Sequence, residues 1–248
     1  MNIMLKEVCN LNTIFKNYML KQLNNSDFSD NSILSEITDN KCAKKIIEKH
    51  MRYTKSLEIP SIYKQVLTDF TQRYDSLLKK YKYDKLSKNP SAIFGSVNNY
   101  DETLAMYIYF DLDQCKQYLK MKPIYTFNEI TNDSIFASQR PNESLRPVDW
   151  DNPITLVQTI GDYEYLVIDG NHRYKNAIRQ HSNIPMKCIF YENIEPKFFL
   201  NDFNYILFMF KNEYFRILSL CFGCYPIDII KKQINDSISK TLYLLEEK

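Results

Sequence analysis

Residues 165–180, YLVIDGNHRYKNAIRQ, constrain the fold most, because their pattern changes within a few positions from that of a strand to that of a helix. Leu166, Val167 and Ile168 form an apolar run that is typical of a strand buried on both faces. Gly170, one of only four glycines in the chain, permits a tight turn and the close approach of a ligand. The stretch therefore predicts a strand, a turn and a helix in direct succession.

The rest of the chain divides into three parts by its hydrophobic pattern. Helical periodicity dominates before residue 122 and returns after residue 194. Between them KPIYTFNEI, PITLVQTI, YEYLVID and IPMKCIFYE each predict a short strand. We therefore predict an α+β protein with a small mixed sheet at residues 122–193, flanked by a helical N-terminal region, residues 1–121, and a helical C-terminal region, residues 194–248, packed on it.

Three segments carry the clearest helical predictions. Residues 198–220 are apolar almost all round, which predicts a buried helix. Residues 101–120, DETLAMYIYFDLDQCKQYLK, predict a helix with Asp101 as its N-cap, and residues 85–100 predict a turn-rich connector before it. Residues 61–83 predict an amphipathic helix whose apolar stripe contains Ile62, Val66, Phe70, Tyr74, Leu77, Leu78 and Tyr81.

Charge and cysteine usage limit the classes of protein that the chain can belong to. A net charge of +2 with both signs interspersed argues against an extended basic surface for nucleic acid. The six cysteines are irregularly spaced. CFGC at residues 221–224 is a C-x-x-C motif without a second such motif, and it predicts a helix end with Gly223 as its cap. No signal-peptide pattern opens the chain, and its most apolar run, YILFMF, is too short for a bilayer. We expect a cytoplasmic protein with no membrane contact.

The joint between the predicted strand and helix carries the candidate functional residues. Asp169 comes at the end of the strand, Asn171 suits an N-cap or a left-handed backbone, and His172 and Arg173 open the helix. A cation at a helix N-terminus is unfavourable for the helix alone, and a bound anion would reverse that penalty. Backbone amides, an imidazole and a guanidinium thus converge on one point, which predicts a phosphate site.

A second interpretation of the same joint needs no ligand. Every strand that passes directly into a helix requires a turn glycine and a helix cap, and Asp-Gly followed by Asn is an ordinary choice for both. The local residue types leave these two interpretations open.

The segment VIDGNHRYKNAI, preceded by PITLVQ and followed by IPMKCIFYE, resembles the ParB/sulfiredoxin-like superfamily. Members carry an apolar strand, a Gly-x-x-Arg turn, a short helix and a strand that opens with Ile/Val-Pro. The resemblance covers residues 122–193 and implies a sheet of the ParB/sulfiredoxin type. It also implies a nucleotide site, since members bind CTP or ATP with Mg²⁺ and hydrolyse it or transfer a phosphoryl group.

Carried over by position, the resemblance nominates the phosphate-binding residues Gly170, Asn171, His172 and Arg173. Asp169 stands where serine-kinase-like relatives have an acid, so Asp169, His172 and Arg173 are the predicted catalytic residues. Sulfiredoxins place their reactive cysteine where this chain has Asn171, which argues against sulfinic-acid repair. Partition proteins carry a glutamate–asparagine box, whereas the ENI of residues 192–194 follows the last strand directly and reads as a linker.

The polar segment before the PITLVQTI strand borders the phosphate site in the resembling fold. Arg140 and Arg146 are therefore nominated as additional nucleotide-binding residues. Asp169 and Glu143 are nominated as Mg²⁺ ligands, with Asp149 and Asp151 as further carboxylates that suit a metal or a base. The alternative for each of these charges is an ordinary solvated loop.

The resemblance favours an enzyme, an NTPase or a kinase-type phosphotransferase acting on an unknown acceptor, and two rival functions remain. The first is a DNA-associated, partition-like or nuclease-like protein, for which KKYKYDKLSK at residues 79–88 supplies interleaved lysines and tyrosines. The same run suits the solvated end of a helix. The second rival is a non-catalytic interaction module. His50 and His181 are interpreted as structural, and Trp150 as a packing anchor.

Overall fold

The structure is a computed structural model that describes residues 40–81, 93–95, 108–119, 124–127, 135–136, 151–159, 165–180, 186–191 and 194–247. Its helices are α1 (Asn40–Ser56), α2 (Ser61–Lys80), α3 (Leu112–Leu119), α4 (Asn171–Gln180), α5 (Asp202–Phe222) and α6 (Ile227–Glu246). Its strands are β1 (Ile93–Gly95), β2 (Tyr109–Asp111), β3 (Tyr125–Phe127), β4 (Ile135–Phe136), β5 (Ile154–Gln158), β6 (Tyr165–Asp169) and β7 (Met186–Tyr191). A 3₁₀ turn at Pro196–Phe198 precedes α5.

The main sheet of the described residues is mixed and has the strand order β3-β7-β5-β6-β4. The pairs β5–β7 and β4–β6 are parallel, whereas β5–β6 and β3–β7 are antiparallel. The β5–β6 ladder places Thr155 opposite Asp169 and Gln158 opposite Tyr165. Strands β1 and β2 form a separate antiparallel ladder. The predicted mixture of helices with a small mixed sheet is confirmed, and so are the four predicted strands.

Strand β6 is buried on both faces, as its apolar run predicts. Leu166 and Ile168 belong to a core that also contains Tyr191 of β7 and most of the buried helix residues. Val167 points to the opposite face, into a smaller core that includes Tyr174 of α4. All three strand residues are at most 2% exposed. The sheet therefore separates two apolar layers, with the long helices on one side and α4 on the other.

The helices from the two ends of the chain share one core. Tyr63 of α2 donates its hydroxyl to the carbonyl of Tyr225 at 3.1 Å, and the Tyr74 hydroxyl lies 3.2 Å from that of Ser237 in α6. The Thr54 hydroxyl of α1 lies 2.9 Å from that of Tyr214 in α5. Apolar contacts accompany these bonds, so α1, α2, α5 and α6 form one helical layer against the sheet.

Helix α5 confirms the prediction of a buried helix, and α2 confirms most of its predicted stripe. Val66, Phe70, Tyr74, Leu77 and Leu78 are buried. Ile62 is half exposed instead, because residues four apart drift by about 40° around a helix and the stripe leaves the buried face at its start.

The prediction of one helix over residues 101–120 is wrong in its central part. Tyr109–Asp111 is strand β2, and the helix covers only Leu112–Leu119. The backbone N–H of Tyr109 donates to the Asn204 side chain, and its carbonyl accepts from Leu200 N–H, so contacts with the chain around α5 hold it extended. The Asp111 carboxylate then accepts from the N–H groups of Asp113 and Gln114 at 3.1 Å and caps α3.

Other predictions in this region have mixed outcomes. Strand β1 lies inside the segment predicted to be a turn-rich connector, so this strand was not predicted. Asp101 lies outside the described residues, and so does His181. Gly223 caps α5 as predicted, but the left-handed backbone falls on the next residue, Cys224, with φ 53°. Cys221 is buried and Cys224 exposed, and both are free thiols.

His50 confirms its structural interpretation. Its ring is buried, its Nδ1 lies 2.7 Å from the Ile46 carbonyl, and the rings of Phe210 and Tyr214 meet it edge-on with centroids 4.9 and 4.7 Å away. Burial lowers the pKa of His50 to about 4, with smaller contributions from the charges of Lys49 and Lys211. The folded protein therefore holds this imidazole neutral.

We predict that His50 makes the stability of the protein depend on pH. The unfolded chain protonates His50 near pH 6.5 and the folded chain only near 4, so its contribution is complete above pH 6.5 and is lost as the pH falls toward 4. The free energy of unfolding should lose about 3 kcal/mol through this residue. The unfolding free energies of the wild type and of His50→Phe should be measured by urea titration at several pH values. The unfolding free energy of the variant should depend less steeply on pH, and equal dependence on pH would contradict the prediction.

Candidate functional site

The turn between β6 and α4 is built on Gly170. Its φ of +89° lies in the left-handed region that glycine adopts without strain. Its carbonyl accepts from Tyr174 N–H at 2.9 Å, which makes Gly170 the residue that opens α4. The prediction of Asn171 as the N-cap is therefore off by one position, because the glycine itself takes the non-helical backbone of the cap.

Asn171 links the strand to the helix. Its side chain is buried, and its Nδ2 donates to the Val167 carbonyl of β6 at 3.2 Å. This bond fixes the angle at which α4 leaves the sheet. The side chain of Asn171 thus points back into the protein, while the neighbouring side chain of His172 is exposed on the first turn of α4.

Arg173 folds back over the turn. Its Nη2 donates to the Pro153 carbonyl at 3.0 Å and lies 3.8 Å from Oδ2 of Asp169. A Cβ on Gly170 would lie 2.8 Å from the same Nη2, so the guanidinium rests directly against the glycine. The carbonyl and the carboxylate offset the penalty for a cation at a helix N-terminus. Arg173 is therefore stable in this position without a bound anion, and the sequence did not anticipate this.

The topology gathers several chain ends at one end of the sheet, here called the turn end. Strand β6 finishes there at Asp169, and its antiparallel neighbour β5 starts there at Ile154. Strand β4 runs parallel to β6 and therefore also heads toward the turn end, finishing at Phe136. The described chain resumes at Asp151, just before Pro153, the partner of Arg173.

The polar segment before β5 carries several of the predicted site residues. The residues themselves lie outside the described part of the chain, so their nomination stays a prediction. Asp151, the first described residue after them, is exposed and pairs with Lys187 of β7 at 2.7 Å. The hydrogen bond from Lys187 lowers the pKa of the Asp151 carboxyl. The predicted residues outside the description are Arg140, Glu143, Arg146, Asp149, Trp150, and Glu192 and Asn193 of the ENI segment.

Sequence reasoning missed two groups at the turn end. The first is the Pro153 carbonyl, which accepts a hydrogen bond from Arg173. Every residue has a backbone carbonyl, so the pattern of side chains does not indicate which one will accept. Lys187 is a second cation near the turn, and its place in the IPMKCIFYE strand was the available signal.

Helix α4 is buried on more than the face that packs on the sheet. Tyr174 and Ala177 face the sheet and are buried, as the helical pattern indicates. Asn176 is also buried, at only 7% exposed. Its burial means that α4 is covered over a wider arc than the stripe that faces the sheet. A polar side chain in that position requires hydrogen-bond partners.

Among the described residues no group of three His, Cys, Asp or Glu side chains is arranged to hold a metal ion. Of the two predicted Mg²⁺ ligands, Asp169 lies at the turn beside Arg173 and Glu143 is outside the description. A metal brought by a nucleotide would draw most of its ligands from phosphate and water, which is the usual arrangement for Mg²⁺. The metal assignment stays a prediction.

The lysine run proposed for DNA contact is described only at its start. Lys79 forms an ion pair with Asp75 at 2.5 Å, and Lys80 lies over the ring of Tyr81 with 5.1 Å to the centroid. Both contacts are ordinary for the solvated end of a helix. Residues 82–88 lie outside the described residues, and the DNA alternative stays untested.

Comparisons with models of known protein families, with curated proteins and with solved structures found no match to this chain. The ParB/sulfiredoxin-like resemblance therefore stays a prediction. Within the described residues no helix is both long and apolar enough to cross a bilayer.

We predict that Gly170→Ala destabilises the protein by about 1–3 kcal/mol, the usual cost of a left-handed backbone on a residue other than glycine. The new Cβ would also lie 2.8 Å from Ile154 Cγ2 and from Arg173 Nη2. Gly223→Ala is the matched control, since its φ is −72° and the half-buried Tyr225 ring that it would approach can move aside. Denaturant titration should show the larger loss at Gly170, and equal losses would refute a special role for the turn.

Proposed function

We propose that this protein binds a nucleoside triphosphate with Mg²⁺ at the turn formed by residues 169–173, and hydrolyses it or transfers its terminal phosphoryl group. The observation that supports this most is the guanidinium of Arg173, held against the left-handed Gly170 at the N-terminus of α4. Glycine permits the close approach of phosphate, and the helix N-terminus and the guanidinium both favour an anion there. The proposal includes a sheet of the ParB/sulfiredoxin type.

The contacts of Arg173 are compatible with a later exchange for phosphate. The Pro153 carbonyl is a neutral acceptor, and the 3.8 Å contact to Asp169 is long for an ion pair. A charge-assisted bond between a guanidinium and a phosphate is stronger than a bond to a neutral carbonyl. Arg173 is therefore held close to its working position, and a phosphate group is able to compete for it.

Each residue of the turn has a distinct role in the proposal. Arg173 holds phosphate oxygens and stabilises the charge that develops during transfer. The exposed His172 donates to a phosphate or to the leaving oxygen. Asp169 accepts the proton of the attacking hydroxyl, whose oxygen bonds to the γ-phosphorus as the bond to the bridging oxygen breaks. Because Asp169 also repels phosphate, Mg²⁺ bound to the nucleotide is needed to offset its charge.

We predict that a nucleotide at 100 times its dissociation constant stabilises the wild type by about 2.7 kcal/mol. Melting temperatures should be measured with ATP, ADP, CTP and GTP, each with Mg²⁺. Arg173→Ala should lose the shift, measured from its own baseline because it also loses the Pro153 bond. His172→Ala should weaken the shift without affecting the fold, since the side chain is exposed.

The matched control is Arg52→Ala, which removes the same charge from an exposed position on α1. It should keep the full nucleotide shift. Two outcomes contradict the proposal: no shift with any nucleotide in the wild type, which favours the interaction module, or a shift that survives in Arg173→Ala. Binding of DNA that weakens steeply with salt, in place of nucleotide, would favour the DNA-associated rival.

A further inference from the structure

Two buried polar atoms without hydrogen-bond partners lie on consecutive residues at the start of α4. They are Nε of Arg173 and the hydroxyl oxygen of Tyr174. The Tyr174 side chain is only 3% exposed and packs in the smaller core with Ile154 and Val167. Buried polar groups in native proteins are nearly always bonded, so an unbonded pair at one place calls for an explanation.

Both atoms belong to residues of the first turn of α4, directly after the turn at Gly170. Side chains on a helix tilt toward its N-terminus, which directs the Tyr174 ring toward Gly170. The residue that connects them is Ile154, whose Cγ2 rests against Gly170 beside the Arg173 guanidinium and whose side chain shares a core with Tyr174. Tyr174 and Arg173 are therefore linked to Gly170, the turn residue of the proposed phosphate site, through Ile154 and the guanidinium.

The chemistry of the two atoms indicates what is missing. Nε of arginine is only a donor, and a tyrosine hydroxyl has one hydrogen to donate. The first N–H groups of a helix are donors as well. A partner that satisfies all of them must offer several acceptors, and a phosphate group does so with a negative charge that the helix N-terminus also favours. A cation or an apolar ligand would leave these donors unbonded.

We propose that Tyr174 is a further ligand-binding residue, whose hydroxyl donates to a phosphate oxygen of the nucleotide together with Nε of Arg173. This rests on the proposed nucleotide site. In the ligand-free protein the guanidinium is tied to the Pro153 carbonyl, and both unbonded atoms are covered. When the guanidinium leaves that carbonyl, a phosphate of the nucleotide accepts hydrogen bonds from both atoms. The two donors therefore lack partners in the free protein and gain them in the bound state.

The test compares Tyr174→Phe with Tyr205→Phe. Tyr205 in α5 is the matched control, because its hydroxyl is also buried and unbonded but belongs to the helical core. Neither hydroxyl has a partner in the free protein, so both variants should melt at or above the wild-type temperature. The affinity for Mg-ATP, Mg-CTP or Mg-GTP, whichever stabilises the wild type, should then be measured by calorimetry.

We expect Tyr174→Phe to bind that nucleotide about tenfold more weakly, the usual loss for one hydrogen bond to a charged group. Tyr205→Phe should bind like the wild type. Equal affinity in both variants overturns the role of Tyr174 and leaves the nucleotide site standing. A lowered melting temperature for Tyr174→Phe alone also overturns it, because the hydroxyl is then bonded in the free protein. No binding by the wild type refutes the nucleotide site itself.

Discussion

The burial of β6 on both faces is the constraint on which the rest of the structure depends. Leu166 and Ile168 anchor the sheet to the helical layer, and Val167 anchors α4 on the other side. A strand so enclosed must end at the edge of the core, and there its backbone turns through Gly170. The polar residues that follow are therefore presented at a fixed place, on a rigid support, which is the usual way in which a fold carries a site.

At the turn, the side chain of Arg173 stabilises the fold itself. Arg173 bonds to a carbonyl of the neighbouring strand and approaches Asp169, and these contacts join β5, β6 and α4. Nε of the same guanidinium stays buried without a partner. If the proposed nucleotide site is correct, stability and binding compete for this one side chain, and departures from local rules of this kind are expected at functional sites.

The hydrophobic pattern was sufficient to predict strands β3, β5, β6 and β7 and the buried helix α5, because each contains an apolar run. It failed at β2, where bonds between Tyr109 and the chain around α5, residues distant in sequence, override the helical preference. The turn residues were identifiable from their types, since glycine and the charges beside it stand out. The inward fold of Arg173 was not, because its partner is the backbone of Pro153 and a side-chain pattern carries no record of backbone acceptors.

The shared core of the first and last helices has a consequence for synthesis. Tyr74 and Ser237 meet although 163 positions separate them, so α2 cannot complete the burial of its apolar stripe until α6 has left the ribosome. Loop closure over such a distance delays folding, and exposed apolar stripes invite aggregation in the interval. The ladders of the main sheet join strands that are close in sequence. The sheet can therefore assemble first and offer a surface against which the helices later pack.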